Sequence, residues 1–518
     1  MSRSATNERE RNSESTATSV ETDYDIRRCN QFILGPTFVD KYSGWKRITA
    51  GPSWRVTAHP SLNVLQETLN EKFLTLIGFI LDPQYPEATD ASILRDLLVG
   101  FDTFSNFLDE INRFGGRWII IIYDGKSTKL IHDACGLRQV FYARADTSPW
   151  CASQPELIGE VLGFKVDREA DGFFRLQLAC VDQQAWWPGN SSAYGEIRHL
   201  LPNHYLDLDS VSSHRYWPKR DCQSTPFDEA VKNVGQILRG TTKAAAHRFD
   251  LCLSLTAGYD SRCVLAACKE FADKISCSTT RLIGEPSDNL VDVEVAHTLA
   301  ERLGFKHDVI QSPMQIDDKF FDAYVSSVRY PHLIWYPNGQ AWFNLYQRKK
   351  VELHGCASEI GRCFYGFRQL DITNAGKALA SMTNMGWHPF AIRHFQSWFN
   401  DVGDTKGYSL LDLFYWENRV GNWLAMCQAE GDVSAKDIIA PFNCRNLLMQ
   451  MLGVSQDKRA YPKYLFHREL ISSLWKAALA EPINPHKPVP SWLRSRLSFG
   501  KRLVKSGISK IANFGSRA

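Results

Sequence analysis

An α+β amino-terminal half built on antiparallel sheets, followed by an α/β half with a doubly wound parallel sheet and a helical extension, is the fold class this sequence predicts. Three observations predict it. Residues 30–215 are apolar runs broken by turn dipeptides. From residue 225 the pattern becomes strand–helix–strand–helix–strand, the signature of a parallel, doubly wound sheet. Residues 315–480 read as mostly helical and rich in Trp and Tyr.

The elements follow in order. Residues 73–81 form a buried strand that ends at the turn Asp82-Pro83, and residues 92–101 a short helix. Residues 116–123 are a second buried strand, closed by the hairpin signal Asp124-Gly125. Residues 129–132 and 140–143 continue the meander. In the second half, 251–255 is a short strand, 262–272 a helix and 275–282 a strand. Residues 291–303 are a helix whose apolar positions 295, 299 and 303 share one stripe, stopped by Gly304. Residues 307–310 are a strand again.

Composition bounds the class. The chain has 518 residues, 44% hydrophobic, 23% charged and 12% aromatic. These values exclude a mostly disordered chain, a collagen-like fibre and a small disulfide scaffold. At ~150 residues per domain, two to four domains are expected. Sixty Lys+Arg against 57 Asp+Glu leave a formal +3, too small a surplus to favour a nucleic-acid partner. The longest apolar runs, 73–81 and 118–123, fall far short of the ~20 residues that cross a bilayer, so no transmembrane helix is expected. The amino terminus has no apolar stretch of the secretory kind. The 13 Cys show no CxxC pair, which fits reduced thiols in a cytoplasmic protein.

Four segments emerge: 1–28, polar and expected to be disordered; 29–215; 225–480; and a basic tail, 481–518. Beyond Glu481 the tail has no acidic residue, which admits a weak membrane-surface contact.

The chemistry concentrates where the strand 251–255 runs into Thr256-Ala257-Gly258-Tyr259-Asp260-Ser261 and then a helix. Open α/β sheets bind ligands at the carboxyl ends of their strands. Ala257 and Gly258 let backbone N–H groups approach an anion, the helix start adds its positive dipole end, and Thr256 and Ser261 add hydroxyl donors. The loop is a phosphate-sized anion cradle. It is neither a Walker A loop nor a dinucleotide fingerprint, because GxxxxGK[ST] and GxGxxG are both absent.

Thr256 to Ser261 resembles the SGGxDS loop of the ATP pyrophosphatases, and specifically that of the asparagine synthetase family. Thr256 stands at the first Ser and Ala257 at the first Gly, while Gly258, Asp260 and Ser261 match directly. Residues 355–365 (GCASEIGRCFY) resemble the family's GxGxDExxGGY segment in register from Gly355 to Tyr365. Glu359 stands at the acid near Mg²⁺ and pyrophosphate, Ile360 replaces its neighbouring acid, and Cys363 and Phe364 replace the tandem glycines. Residues 437–445 (DIIAPFNCR) resemble ExRxPFLDxR, and residues 462–468 (PKYLFHR) resemble the KxxLR segment, which puts Lys463 at the active-site lysine. Across residues 116–142, the amino half is similar to class II glutaminase domains, but position 2 is Ser and the first Cys, Cys29, lies inside the chain. An N-terminal nucleophile needs its own free α-amine as base, so a glutaminase-like domain without glutamine hydrolysis is expected.

The resemblance implies an ATP-dependent, AMP-forming carbon–nitrogen ligase. A small-molecule or peptide carboxylate is adenylated, pyrophosphate leaves, and ammonia or an amine takes the acyl group. It implies ATP binding by Ser254, Thr256, Ala257, Gly258, Tyr259, Asp260, Ser261 and Gly355. It implies Mg²⁺ held by Asp260 and Glu359, with Lys463 and Asp437 as catalytic groups. Arg262 and His354 flank the motifs and are candidates for phosphate contact. Two alternatives stay open: a lactam- or peptide-cyclising synthetase of the same family, and a non-catalytic, degenerate synthetase acting as a binding or assembly subunit.

Overall fold

The computed structural model of the chain describes residues 26–145, 148–180, 184–281, 288–386 and 388–485. Most of the polar amino-terminal segment and the basic tail beyond residue 485 lie outside the described residues.

Twelve strands among the described residues fall between 32 and 215. They are β1 (Phe32–Gly35), β2 (Lys46–Ala50), β3 (Trp54–Ala58), β4 (Val64–Leu69), β5 (Lys72–Leu81), β6 (Gly115–Tyr123), β7 (Thr128–His132), β8 (Phe141–Ala145), β9 (Ser148–Ala152), β10 (Arg198–His199), β11 (His204–Asp207) and β12 (Ser212–Arg215). They pair into two six-stranded antiparallel sheets, ordered β10-β8-β9-β1-β3-β2 and β12-β11-β7-β6-β5-β4. The longest ladder joins β5 to β6, from Phe73 opposite Tyr123 to Leu81 opposite Gly115.

Side-chain alternation along β6 accounts for the layering. Ile119 and Ile121 pack between the sheets with Phe32, Leu34 and Val56. Ile120 and Ile122 face the opposite way, onto the helices Asp90–Val99 and Phe104–Glu110. A strand covered on both faces reads as an unbroken apolar run, which is why the Ile quartet carries no polar alternation. On the outer face of the other sheet, Ile33, Phe141 and Trp150 join the core of the helices Pro155–Leu162 and Arg168–Cys180. These two helices lie in a region whose sequence reads as strands and turns.

The carboxy-terminal half carries β13 (Leu251–Ser254), β14 (Ser276–Arg281), β15 (Lys306–Gln311), β16 (Val351–Leu353) and β17 (Ile438–Ile439), all parallel and ordered β15-β14-β13-β16-β17. The chain winds from β13 through the helix Tyr259–Ala267 to β14 on one side. It later crosses to place β16 on the other, so the strand order reverses between β13 and β16. Loops at the carboxyl ends of such a pair diverge and leave a crevice. The helix expected over 262–272 starts earlier, at Tyr259, and ends at Ala267, because Phe271 has non-helical backbone (φ −138°, ψ 32°) inside the next turn.

The two halves meet across a buried ion cluster. Arg117 of β6 donates to Asp432 at 2.7 and 3.0 Å and to Asp437 at 3.0 Å. Arg138 donates to the other oxygen of Asp437 at 2.8 Å. The motif resemblance implies a catalytic role for Asp437, and the structure places it in this cluster. Its carboxylate is spent on two arginines of the amino-terminal half, and its backbone precedes the last strand of the sheet rather than facing the anion loop. Burial opposes its ionisation, but Arg138 and Arg117 override that and hold it below the usual carboxylate range.

Candidate active site

The anion loop sits where the strand order reverses. β13 ends at Ser254, and the helix Tyr259–Ala267 begins behind Gly258, whose extended backbone (φ −79°, ψ 165°) starts it with no side-chain cap. The first-turn N–H groups of that helix therefore keep their electrostatic pull on an anion. The loop holds its own shape. Thr256 N–H donates to Ser261 Oγ at 3.1 Å, Ser261 Oγ donates to the Thr256 carbonyl at 3.2 Å, and Gly258 N–H donates to Thr256 Oγ1 at 3.1 Å. Ala257 N–H donates to Asp292 Oδ1 at 2.9 Å, so one amide of the cradle already serves a carboxylate. Ser254 Oγ donates to Glu352 of β16, tying the two strands at the crevice floor.

The strand β16 brings the second motif alongside. A Cβ at Gly355 would lie 2.5 Å from the Asp260 carbonyl carbon and 2.6 Å from Ser261 N. Only glycine permits that backbone approach. Glu359 follows within a short helical turn, Ser358–Arg362. Ser358 Oγ donates to one oxygen of Asp260, and the Arg362 guanidinium lies 3.1 Å from the other and 3.8 Å from Glu359. Burial, and then the neighbouring Asp260 charge, push Glu359 up to about 7 despite Arg362. Ala357 and Cys363, at positions where the resembled motif has glycines, both have left-handed backbone (φ 71° and 50°). The turn shape that glycine suits is kept by non-glycine residues buried in the core.

Mg²⁺ is tested by this donor set. Asp260 and Glu359 are hard oxygen donors with two negative charges when ionised, set against the one positive charge of Arg362. The set fits a divalent cation that takes over Asp260 from Arg362.

Lys463 is exposed. Its neighbour Tyr464 carries the Arg362 guanidinium 5.4 Å above its ring and packs edge-on to Tyr259 at 5.5 Å, so the lysine's segment borders the loop. Arg262 does not face the loop. It is fully buried, and it donates at 2.5 Å to the carbonyls of Glu481 and Pro482. Asn484 N–H, from the same segment, donates to the Ala257 carbonyl at 3.1 Å. His354 pairs with Cys356, Nδ1 to Sγ at 2.6 Å.

A cavity of about 380 Å³ opens beside the loop. The strand ends Ser254–Thr256 and Ser278–Thr280 form one part of its wall, and Trp335, Trp342, Trp423 and Tyr324 another. Sequence reasoning finds the loop, Gly355 and Glu359. It misses Glu352, Ser358 and Arg362, which carry no motif signal, and the three tryptophans, whose only trace is the aromatic richness of residues 315–480.

No family model matches the chain, and no curated protein matches it. Solved structures resemble it weakly. A glutamine phosphoribosylpyrophosphate amidotransferase from B. subtilis, complexed with ADP and GMP, aligns with 55% of this chain at 13% identity and a TM-score of 0.22. This chain spans 60% of that protein's length. An NH3-dependent NAD synthetase from Campylobacter jejuni aligns with 37% of this chain and 92% of its own, at 14% identity and a TM-score of 0.21. A glutamine-dependent NAD+ synthetase from Acinetobacter baumannii, in complex with ADP, aligns with 44% of this chain and 51% of its own, at 12% identity and a TM-score of 0.19.

Proposed function

We propose that this chain is an ATP-dependent amide-forming ligase that adenylates a carboxylate, releases pyrophosphate, and passes the acyl group to ammonia or an amine with loss of AMP. The observation that carries this reading is the uncapped helix start behind Gly258, with Asp260 and Glu359 beside it and a cavity at its edge. In this reading the first-turn amides and the exposed Thr256 hydroxyl grip the β- and γ-phosphates. Mg²⁺ bound by Asp260 and Glu359 supplies charge neutralisation for the leaving pyrophosphate. The strand ends Ser254–Thr256 and Ser278–Thr280 border the nucleoside, and Lys463 brings positive charge to the α-phosphate.

The nitrogen comes from outside the amino-terminal half. Cys29 lies three residues before β1, almost fully buried, and burial pushes its thiol up to about 11, so it is not a thiolate at neutral pH. The tryptophan-walled cavity favours a substrate larger than aspartate, which ranks a lactam- or peptide-forming reaction above asparagine synthesis.

A second reading, a non-catalytic binding subunit, is favoured by two contacts: Asp292 on the Ala257 amide and Arg362 on Asp260. Pyrophosphate and AMP formation from Mg-ATP with candidate carboxylates separates the two. AMP release that needs an acid and an amine supports the ligase, and ATP binding without turnover for any acid supports the binding subunit. Glutamate release from glutamine would overturn the inactive-glutaminase reading.

A further inference from the structure

Part of the cavity wall is formed by side chains that phosphate chemistry does not use. His332, Cys427 and Glu430 bring one nitrogen, one sulfur and one carboxylate oxygen within 4.8 Å of one another, the one such group of three among the described residues. Nδ1 of His332 lies 2.9 Å from Glu430 Oε1 and 3.8 Å from Cys427 Sγ. Cys427 and Glu430 line the cavity, while His332 is fully buried behind them.

The surroundings orient all three. His332 Nε2 lies 2.7 Å from the Ala185 carbonyl, which holds the proton on that nitrogen and turns Nδ1 toward the cluster. The His332 backbone N–H donates to Glu430 Oε1 at 3.0 Å, and the Tyr324 hydroxyl lies 2.9 Å from the His332 carbonyl and 3.2 Å from Glu430 Oε2, its one proton shared between them. This is the arrangement of ligands backed by an outer ring of hydrogen bonds. Zinc bond lengths of ~2.3 Å to sulfur and ~2.05 Å to nitrogen or oxygen give tetrahedral edges of about 3.6 Å for S···N and about 3.4 Å for N···O. The observed 3.8 and 2.9 Å need adjustments of only a few tenths of an ångström.

We propose that His332, Cys427 and Glu430 bind a zinc ion at the cavity wall, leaving its fourth position for water or a substrate donor atom. A mixed imidazole, thiolate and carboxylate set selects a borderline divalent metal, and three protein ligands with one open position is the pattern of a reactive zinc centre rather than a closed structural one. On binding, the Cys427 thiol loses its proton to solvent, and any proton on Nδ1 leaves with it. The proton on Nε2 stays there, donated to the Ala185 carbonyl. Nothing in this assignment depends on the ligase reading.

The test uses the full-length chain and two probes: zinc content after dialysis into metal-free buffer, and Co²⁺ added to metal-stripped protein. The expected result is one zinc per chain, with a thiolate-to-cobalt charge-transfer band and tetrahedral d–d bands on Co²⁺ addition. Cys427→Ser abolishes the charge-transfer band. Glu430→Gln weakens Co²⁺ binding, and Tyr324→Phe, which loosens both Glu430 and the His332 carbonyl, weakens it about tenfold. The proposal falls if the wild type takes up neither metal. It falls equally if the band survives Cys427→Ser and disappears in Cys356→Ser, which would place the metal on the His354–Cys356 pair. Should Cys427→Ser fail to fold, the wild-type metal content and the Tyr324→Phe affinity still decide the matter.

Discussion

Replacing Asp437 by Ala separates a structural from a catalytic role for that residue. The structure puts the carboxylate between Arg138 at 2.8 Å and Arg117 at 3.0 Å, with 13% of its side chain exposed. Breaking one partner out of a buried ion pair costs about 3–5 kcal/mol. Arg117 keeps its two bonds to Asp432, whereas Arg138 is left with Asp432 at 4.0 Å, so the loss belongs at the lower end, about 3 kcal/mol. Urea unfolding followed by tryptophan fluorescence reads it, and a cycle with Arg138→Ala isolates a coupling of about 1–3 kcal/mol. The pH dependence has a fixed sign. Because the folded-state carboxyl is held below its unfolded value of ~3.9, the stabilisation is complete above that value and disappears as pH falls through the lower folded one. Activity per folded molecule should be nearly unchanged. An Asp437→Asn protein as stable as the wild type but unable to form AMP would refute this reasoning and restore the catalytic assignment.

Further tests follow from the loop. With Glu359 raised to about 7 before a metal binds, Mg²⁺ affinity that needs its carboxylate rises through neutral pH; Arg362→Gln moves that inflection upward, and an unchanged profile in Glu359→Gln removes Glu359 from the metal site. Gly355→Ala forces a methyl against the Asp260–Ser261 backbone, costing about 1–3 kcal/mol, and calorimetry should find ATP binding weakened more than tenfold. Lys463→Ala, at an exposed site, should leave the melting temperature unchanged and lower AMP formation about a hundredfold or more; full activity would exclude the lysine.

The loop is legible in the sequence because its signal is local. A strand too apolar to end by itself meets two small residues and an acid at a helix start, and neighbouring residues carry all of that information. β16 and β17 are not legible, because elements of three and two residues are too short to show a period. The helices Pro155–Leu162 and Arg168–Cys180 are lost among strands, although the first has an N-terminal Pro and ends at Gly163 with left-handed backbone. Asp437 misleads for a different reason. Its partners Arg117 and Arg138 lie some 300 positions upstream, and no reading of neighbouring residues connects them. Arg262 misleads likewise, since the carbonyls it serves come from residues 478–482.

That last contact has a practical side. The segment from Ala478 to Asn484 is stitched to the loop at residues 256–261 through Arg262 and the Ala257 carbonyl, so segment and loop form one mechanical unit. Shortening the protein to before residue 478 strips a buried guanidinium of its acceptors. A tag fused just after residue 484 pulls directly on the loop.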